Sequence, residues 1–326
     1  MIQISAHIEE WPLKETFRIA GNEWRTSVVL VVHLSDGKFV GRGEAKGVFF
    51  LGESASDMMD QVENFSEDIR NGISRDELLV EMPAGGARNA VDCALWDLEA
   101  KQSGQSIWQL TGIVPKPVTT VFTIGIEDTA EEMARKASKA ANYPVLKIKL
   151  DANQPLQKLT AIRTARPDAK LVVDANQSWR PELLRKILPE CAELGLIMIE
   201  QPLPRGDDKA LDDMNSSVIL AADESCLHSG EIEDVARRYG MINIKLDKTG
   251  GLTQALKLAR EARALGCQLM VGNMVGSSLS MAPAFVLAQM CNLVDIDGPL
   301  LLKHDRPHGL EYTNGTVSSF SSALWG

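Results

Sequence analysis

The chain has 326 residues, 44% of them apolar, and a formal net charge of −10. That length and apolar share can fill the core of one barrel with an added cap, or of two domains. A negative balance without dense Lys/Arg clusters argues against nucleic acid or an anionic membrane surface as partner.

The opening stretch MIQISAHIEEWPLKETF carries acids and lacks an uninterrupted apolar core, so it reads as neither signal peptide nor anchor. No later run reaches the length of a membrane span. Residues 25–45 read as two strands joined at the hairpin signal Ser35-Asp36-Gly37. Helical spacing follows over 54–72 and 83–104, each segment ending at glycine. Residues 1–116 are therefore expected to form an α+β capping domain.

From about residue 117 the rhythm changes. Short apolar strands are predicted at 119–126, 145–150, 170–176, 196–202, 218–225, 241–247, 268–274 and 293–299, separated by amphipathic helices such as 129–142 and 252–266. Eight such units over 117–299 predict an α/β fold with a parallel (β/α) barrel; an open doubly wound sheet is the alternative. No GxGxxG follows the first strand, which leaves a dinucleotide role without support. The tail, 300–326, no longer alternates and is expected to pack back on the cap. Five scattered cysteines (Cys93, Cys191, Cys226, Cys267 and Cys291), with no CxxC, read as reduced thiols in a cytoplasmic protein.

Several strands carry charge where apolar residues are the rule. In VLKIKLD, Lys147 and Lys149 share one face of a strand whose other face is apolar. Either they guard an exposed edge, or they line a barrel mouth where each ammonium depresses the other's pKa. The next three strands end in Asp174, Glu200 and Asp223. Each alone could cap a following helix, but three in succession at one barrel mouth supply hard oxygen ligands suited to Mg²⁺. In MINIKLD, Asn243, Lys245 and Asp247 share a face, and Lys245 is expected inward, whereas Lys248 reads as a loop residue. Lys149 and Lys245 then stand on opposite sides of the acids, an arrangement suited to removing a proton beside a carboxylate and returning one on the other face. Asp295 and Asp297, two apart in VDIDGP, would both face the mouth and attract a substrate's ammonium group.

The ordered set KIK, VDAN, IEQP, ADES, NIKLDKTGG and DIDGP, with ARNAVDCALWDLEAK upstream, resembles the enolase superfamily, muconate-lactonizing subgroup, and within it the dipeptide epimerases acting on L-Ala-D/L-Glu. The resemblance covers nearly the whole chain. It implies a modified (β/α)7β TIM-like barrel under an N-terminal α+β capping domain, with Lys149 and Lys245 as acid/base pair and Lys147 beside them. It also implies Asp174, Glu200 and Asp223 as Mg²⁺ ligands, and Asp295 and Asp297 gripping the amino terminus of a small dipeptide. Thr123 is a further candidate contact. Side-chain specificity in such proteins is set largely by two cap loops, here 20–27 and 46–54. The first offers Trp24 at the position matching an arginine in the family, with Arg25 adjacent; the second offers Phe49, Phe50 and Leu51. The expected activity is inversion of the second residue's α-carbon, in a chain that could form a homo-oligomer. Three readings compete: a β-elimination or cycloisomerisation enzyme of the o-succinylbenzoate synthase type, a Schiff-base aldolase, and a binding barrel without activity.

Overall fold

The computed structural model describes residues 1–326. Strand β1 (Gln3–Ile19) turns at Ala20-Gly21 into β2 (Asn22–Ser35), and a second turn leads to β3 (Val40–Ala45); the antiparallel order is β1-β2-β3. The second turn is the expected hairpin, fixed by Asp36 Oδ1, which accepts from the amides of Lys38 and Phe39 at 2.8 and 2.7 Å. Sequence reasoning marked no strand at β1, because Glu9, Glu10, Lys14 and Glu15 interrupt its apolar alternation. An edge strand with one solvated face tolerates such charges. Strand β2 is buried on both faces: Leu30, Val32 and Leu34 feed the cap core, while Val29 and Val31 join the barrel core.

Helices α1 (Ala55–Asn64), α2 (Ser66–Arg70), α3 (Arg75–Glu81) and α4 (Gly86–Ser103) complete the cap. Capping boxes Ser54/Asp57 and Ser74/Glu77 start α1 and α3, satisfying amides left free at helix N-termini. The helix expected over 54–72 breaks at Phe65, and α3 is an addition. Helix α4 lies directly on β3, where a Cβ on Gly43 would fall 2.0 Å from the Ala90 carbonyl oxygen.

After the short β4 (Val118–Thr119) come β5 (Phe122–Ile124), β6 (Val145–Lys149), β7 (Lys170–Asp174), β8 (Leu196–Glu200), β9 (Ile219–Ala222), β10 (Met241–Ile244), β11 (Gln268–Val271) and β12 (Leu293–Val294). β5 to β12 pair in parallel in chain order, and the Val121 amide donates to Val294 O at 2.9 Å, bringing the first and last strands together. All eight predicted strands are present. The connection from β8 to β9 carries only a 3-10 turn, and β12 is followed by a single helical turn, Gly298–Leu301, rather than a covering helix, so the fold is the modified (β/α)7β barrel under an α+β cap. No helix is long and apolar enough to cross a membrane.

One residue from each strand or its lead-in plugs the barrel: Val121, Val145, Val172, Met198, Ala221, Met241, Met270 and Leu293. Side chains in a strand return to the same face every second residue, so the next inward layer is set two positions on. It consists of Thr123, Lys147, Asp174, Glu200, Asp223, Asn243, Gly272 and Asp295. The tail bridges both halves rather than covering the cap alone. β13 (Tyr312–Thr313) and β14 (Thr316–Val317) extend β4, Lys303 N donates to Pro12 O at 2.9 Å, and Arg306 binds Glu9 and Glu44 of the cap.

Candidate active site

The polar layer above the plug is buried and densely paired. Lys147 Nζ lies 2.7 Å from Asp295 Oδ2, 2.8 Å from Glu200 Oε2 and 3.1 Å from Asp174 Oδ2. Lys149 Nζ donates to Asp174 Oδ2 at 2.6 Å and to Asn176 Oδ1 at 3.2 Å. Lys245 Nζ donates to Asp223 Oδ2 at 2.6 Å, and Asn243 donates to Glu200 Oε1 at 2.7 Å. β6 and β10 are four strands apart in a ring of eight, so Lys149 and Lys245 approach the mouth from opposite walls. Both amines contact the acid set. Lys147 and Lys149 are interior, and the edge-strand reading falls.

The charges explain the pairing. Burial disfavours a charge on Lys147, yet Asp295, Glu200 and Asp174 lift its ammonium well above the usual lysine range. The expectation that the paired ammonium groups depress each other is therefore not met at Lys147, whose charge three carboxylates absorb. Burial likewise opposes ionisation of Asp174, but Lys149 and Lys147 hold it down at about 2. Glu200 goes the other way, to about 7, through burial and the charge of Asp174. Three buried carboxylates cannot all ionise cheaply without more positive charge among them.

As the side chains stand, no three acidic, histidine or cysteine groups close around one point, because lysine ammonium groups lie between the carboxylates. The donor set nonetheless fits a hard divalent cation. Asp174, Glu200 and Asp223 bring oxygens alone from adjacent strand ends. Glu200 Oε2 and Asp223 Oδ1 are buried and receive no well-directed hydrogen bond, which leaves lone pairs for an ion.

Asp295 and Asp297 lie just past the end of β12, both buried. Asp295 is held by Lys147 and by Asn273 Nδ2 at 2.9 Å. Asp297 accepts from the Thr123 amide at 2.6 Å, and burial with the neighbouring Asp295 charge pushes it up to about 7. Thr123 thus serves the site through its backbone amide while lining the cavity.

The cap closes the cavity with Phe17, Trp24, Phe49 and Phe50. Residues 22–27, expected as a loop, are the start of β2, and only Ala20-Gly21 turn. Trp24 enters the cavity and stacks at 6.5 Å on Phe17 and edge-on at 5.1 Å on Phe49. Successive strand residues alternate in direction, so Arg25 is exposed and lines no part of the cavity. The candidate role of Arg25 is corrected on that ground. Leu51 is also exposed and outside it. Lys46 lines the cavity with its Nζ 4.9 Å from the centroid of the Trp24 ring. Burial pushes this ammonium down to about 8, with Asp247 pulling the other way.

Four further residues were not legible as site components. Lys248 is buried, 2.7 Å from Asp223 Oδ1, and donates to three main-chain carbonyls; a single helical turn after β10 swings it under the acid. Asp247, expected beside Lys245, instead accepts from the amides of Lys46 and Gly47 at 3.0 and 2.8 Å and fixes the foot of the second cap loop. Glu224 lines the cavity, raised to about 8 by burial and the Asp223 charge. At Gly272 a Cβ would fall 2.5 Å from Asn243 Oδ1 and 2.9 Å from Lys245 Cε, so the missing side chain is the room those two occupy.

Comparison with known proteins gives a consistent picture. Residues 1–112 match the family described as mandelate racemase / muconate lactonizing enzyme, N-terminal domain, and residues 129–318 the family described as enolase C-terminal domain-like. The chain is 43% identical over 312 residues to the L-Ala-D/L-Glu epimerase of Escherichia coli (strain K12), covering 95% of this chain and 97% of that protein. An enolase family member from Agrobacterium tumefaciens with homology to dipeptide epimerases, solved with sodium and L-Ala-L-Glu, superposes with a TM-score of 0.97 at 40% identity over 100% of both chains. A dipeptide epimerase from Enterococcus faecalis V583, solved with Mg and L-Leu-L-Tyr, gives 0.91 at 27% identity over 99% and 98%.

Proposed function

Because the chain belongs to the enolase superfamily, with both the mandelate racemase / muconate lactonizing N-terminal domain and the enolase-like C-terminal domain, we propose that it is a magnesium-dependent dipeptide epimerase. It inverts the α-carbon of the second residue. The observation that carries this reading is the pair Lys149 and Lys245, four strands apart and each bonded to a carboxylate of one acid set.

The residues divide the work. Asp295 and Asp297 take the substrate's ammonium end, which sets the reacting carbon deeper in the mouth. Lys147 faces the substrate carboxylate, the group onto which the electron pair moves as the C–H bond breaks. One of Lys149 and Lys245, as a neutral amine, removes the α-proton from its face; the other, as an ammonium, delivers a proton to the opposite face, and the roles exchange for the reverse reaction. Asn176 accepts from Lys149 and orients it. A magnesium ion held by Asp174, Glu200 and Asp223 supplies, when bound, a divalent charge for the carboxylate oxygens. The paired Asp295 and Asp297 favour this reaction over β-elimination or cycloisomerisation of a substrate without an amino group. All five cysteines are free, which supports a cytoplasmic location.

The test is incubation of L-Ala-L-Glu with enzyme and Mg²⁺ in D₂O. Deuterium should enter at the second residue, with formation of the L,D isomer, and excess chelator should stop both. Exchange at the first residue, or activity indifferent to chelation, would sink the reading.

A further inference from the structure

Four lysines line the cavity: Lys46, Lys147, Lys149 and Lys245. The last three each meet a carboxylate at 2.7 Å or less. Lys46 meets none. Its nearest company is the Trp24 ring, and Asp247, the acid that acts on it, has its Oδ1 turned to two main-chain amides. The ammonium is therefore a half-buried cation, on the cavity lining and without an acid partner, free to take one from a ligand.

A dipeptide with an acidic second residue carries three charged groups. The ammonium end matches Asp295 and Asp297, and the α-carboxylate matches the lysine and acid layer. The side-chain carboxylate is left over, and Lys46 is the cation left over. The walls beside Lys46, namely Trp24, Phe49, Phe50 and Met274, are apolar and suit the methylenes of such a side chain. Arg25, which could have supplied the charge, points away.

We infer that Lys46 is the specificity residue of this cavity, receiving the side-chain carboxylate of an acidic residue at the dipeptide's second position. The inference rests on the epimerase reading above and adds to it the substrate class and the residue that selects it. The cation sits on the second cap loop rather than on the first, and Asp247, two residues beyond Lys245, anchors that loop to the strand that carries the base.

The experiment measures kcat/KM for α-proton exchange in D₂O with L-Ala-L-Glu, its near-isostere L-Ala-L-Gln, and L-Ala-L-Lys. Wild type, Lys46→Met, Lys46→Arg and Lys46→Glu are compared, with the melting temperature of each as a check on folding. Wild type should prefer Glu to Gln by roughly 10- to 100-fold, the worth of one hydrogen bond between charged groups. Lys46→Met should bring that ratio within about threefold of unity, mainly through KM, and Lys46→Arg should retain part of it. Lys46→Glu should turn the preference toward L-Ala-L-Lys. A wild-type ratio near one overturns the inference without any variant, and so does an unchanged ratio in a folded Lys46→Met. Exchange with none of the three dipeptides would defeat the epimerase reading and the inference with it.

Discussion

The cavity has two walls of opposite character. On the barrel wall every lysine is paired: three lysines against four acids, all buried and within 3.1 Å of a partner, with acid in excess. The cap wall is aromatic, with one cation, Lys46, lacking an acid partner. A wall whose lysines are all paired, and whose surplus of acid suits a metal ion, serves chemistry shared by many substrates. A wall with one unmet charge takes its partner from the substrate and so chooses among them.

Four perturbations sharpen or break that contrast. The largest effect belongs to the barrel: Lys149→Ala and Lys245→Ala should each lower epimerisation by roughly 10²- to 10⁴-fold, while one isomer can still exchange its α-proton. Chiral analysis of turnover beside deuterium uptake separates the two outcomes, and full epimerisation in either variant breaks the two-base scheme. Next, Gly272→Ala should reduce kcat by about 100-fold with the fold intact, since its methyl displaces Asn243 and Lys245. Circular dichroism beside kinetics checks this. Third, Asp297, raised to about 7, must be ionised to hold an ammonium. KM for a dipeptide should therefore fall as pH climbs through about 7, and Asp297→Asn should flatten that profile while raising KM roughly tenfold. Smallest is Arg25→Ala on the cap, expected to change kcat/KM by no more than about twofold because the side chain is exposed. A large loss there would return the specificity role to Arg25.

The same contrast separates what the sequence discloses from what it hides. Lysines and acids two apart inside apolar strands stand out because a period of two has no other place for them: Lys147, the acids from Asp174 to Asp295 and Asn243 lie two positions above the plug, and Lys149, Lys245 and Asp297 four. The cap has no such ruler. Whether Trp24 or Arg25 turns inward depends on where β1 folds back, and β1 itself was masked by four charged residues on its solvated run. Lys46 follows the end of β3 with no periodic neighbour to mark its direction. Lys248 was misread for a related reason: a one-turn helix, too short to announce itself, reverses the chain and puts under the acids a residue that would have faced away.

The Asp247 carboxylate grips the loop of residues 46 and 47 by their peptide N–H groups, not by their side chains. At position 46 every amino acid but proline offers that handle, whereas Gly47, at a φ of 83°, is held to glycine. The loop behaves like a tool bit in a chuck: the side chain at 46 can be exchanged, and the seat keeps its place beside Lys245. A new substrate preference can therefore arise at position 46 without retuning the machinery below.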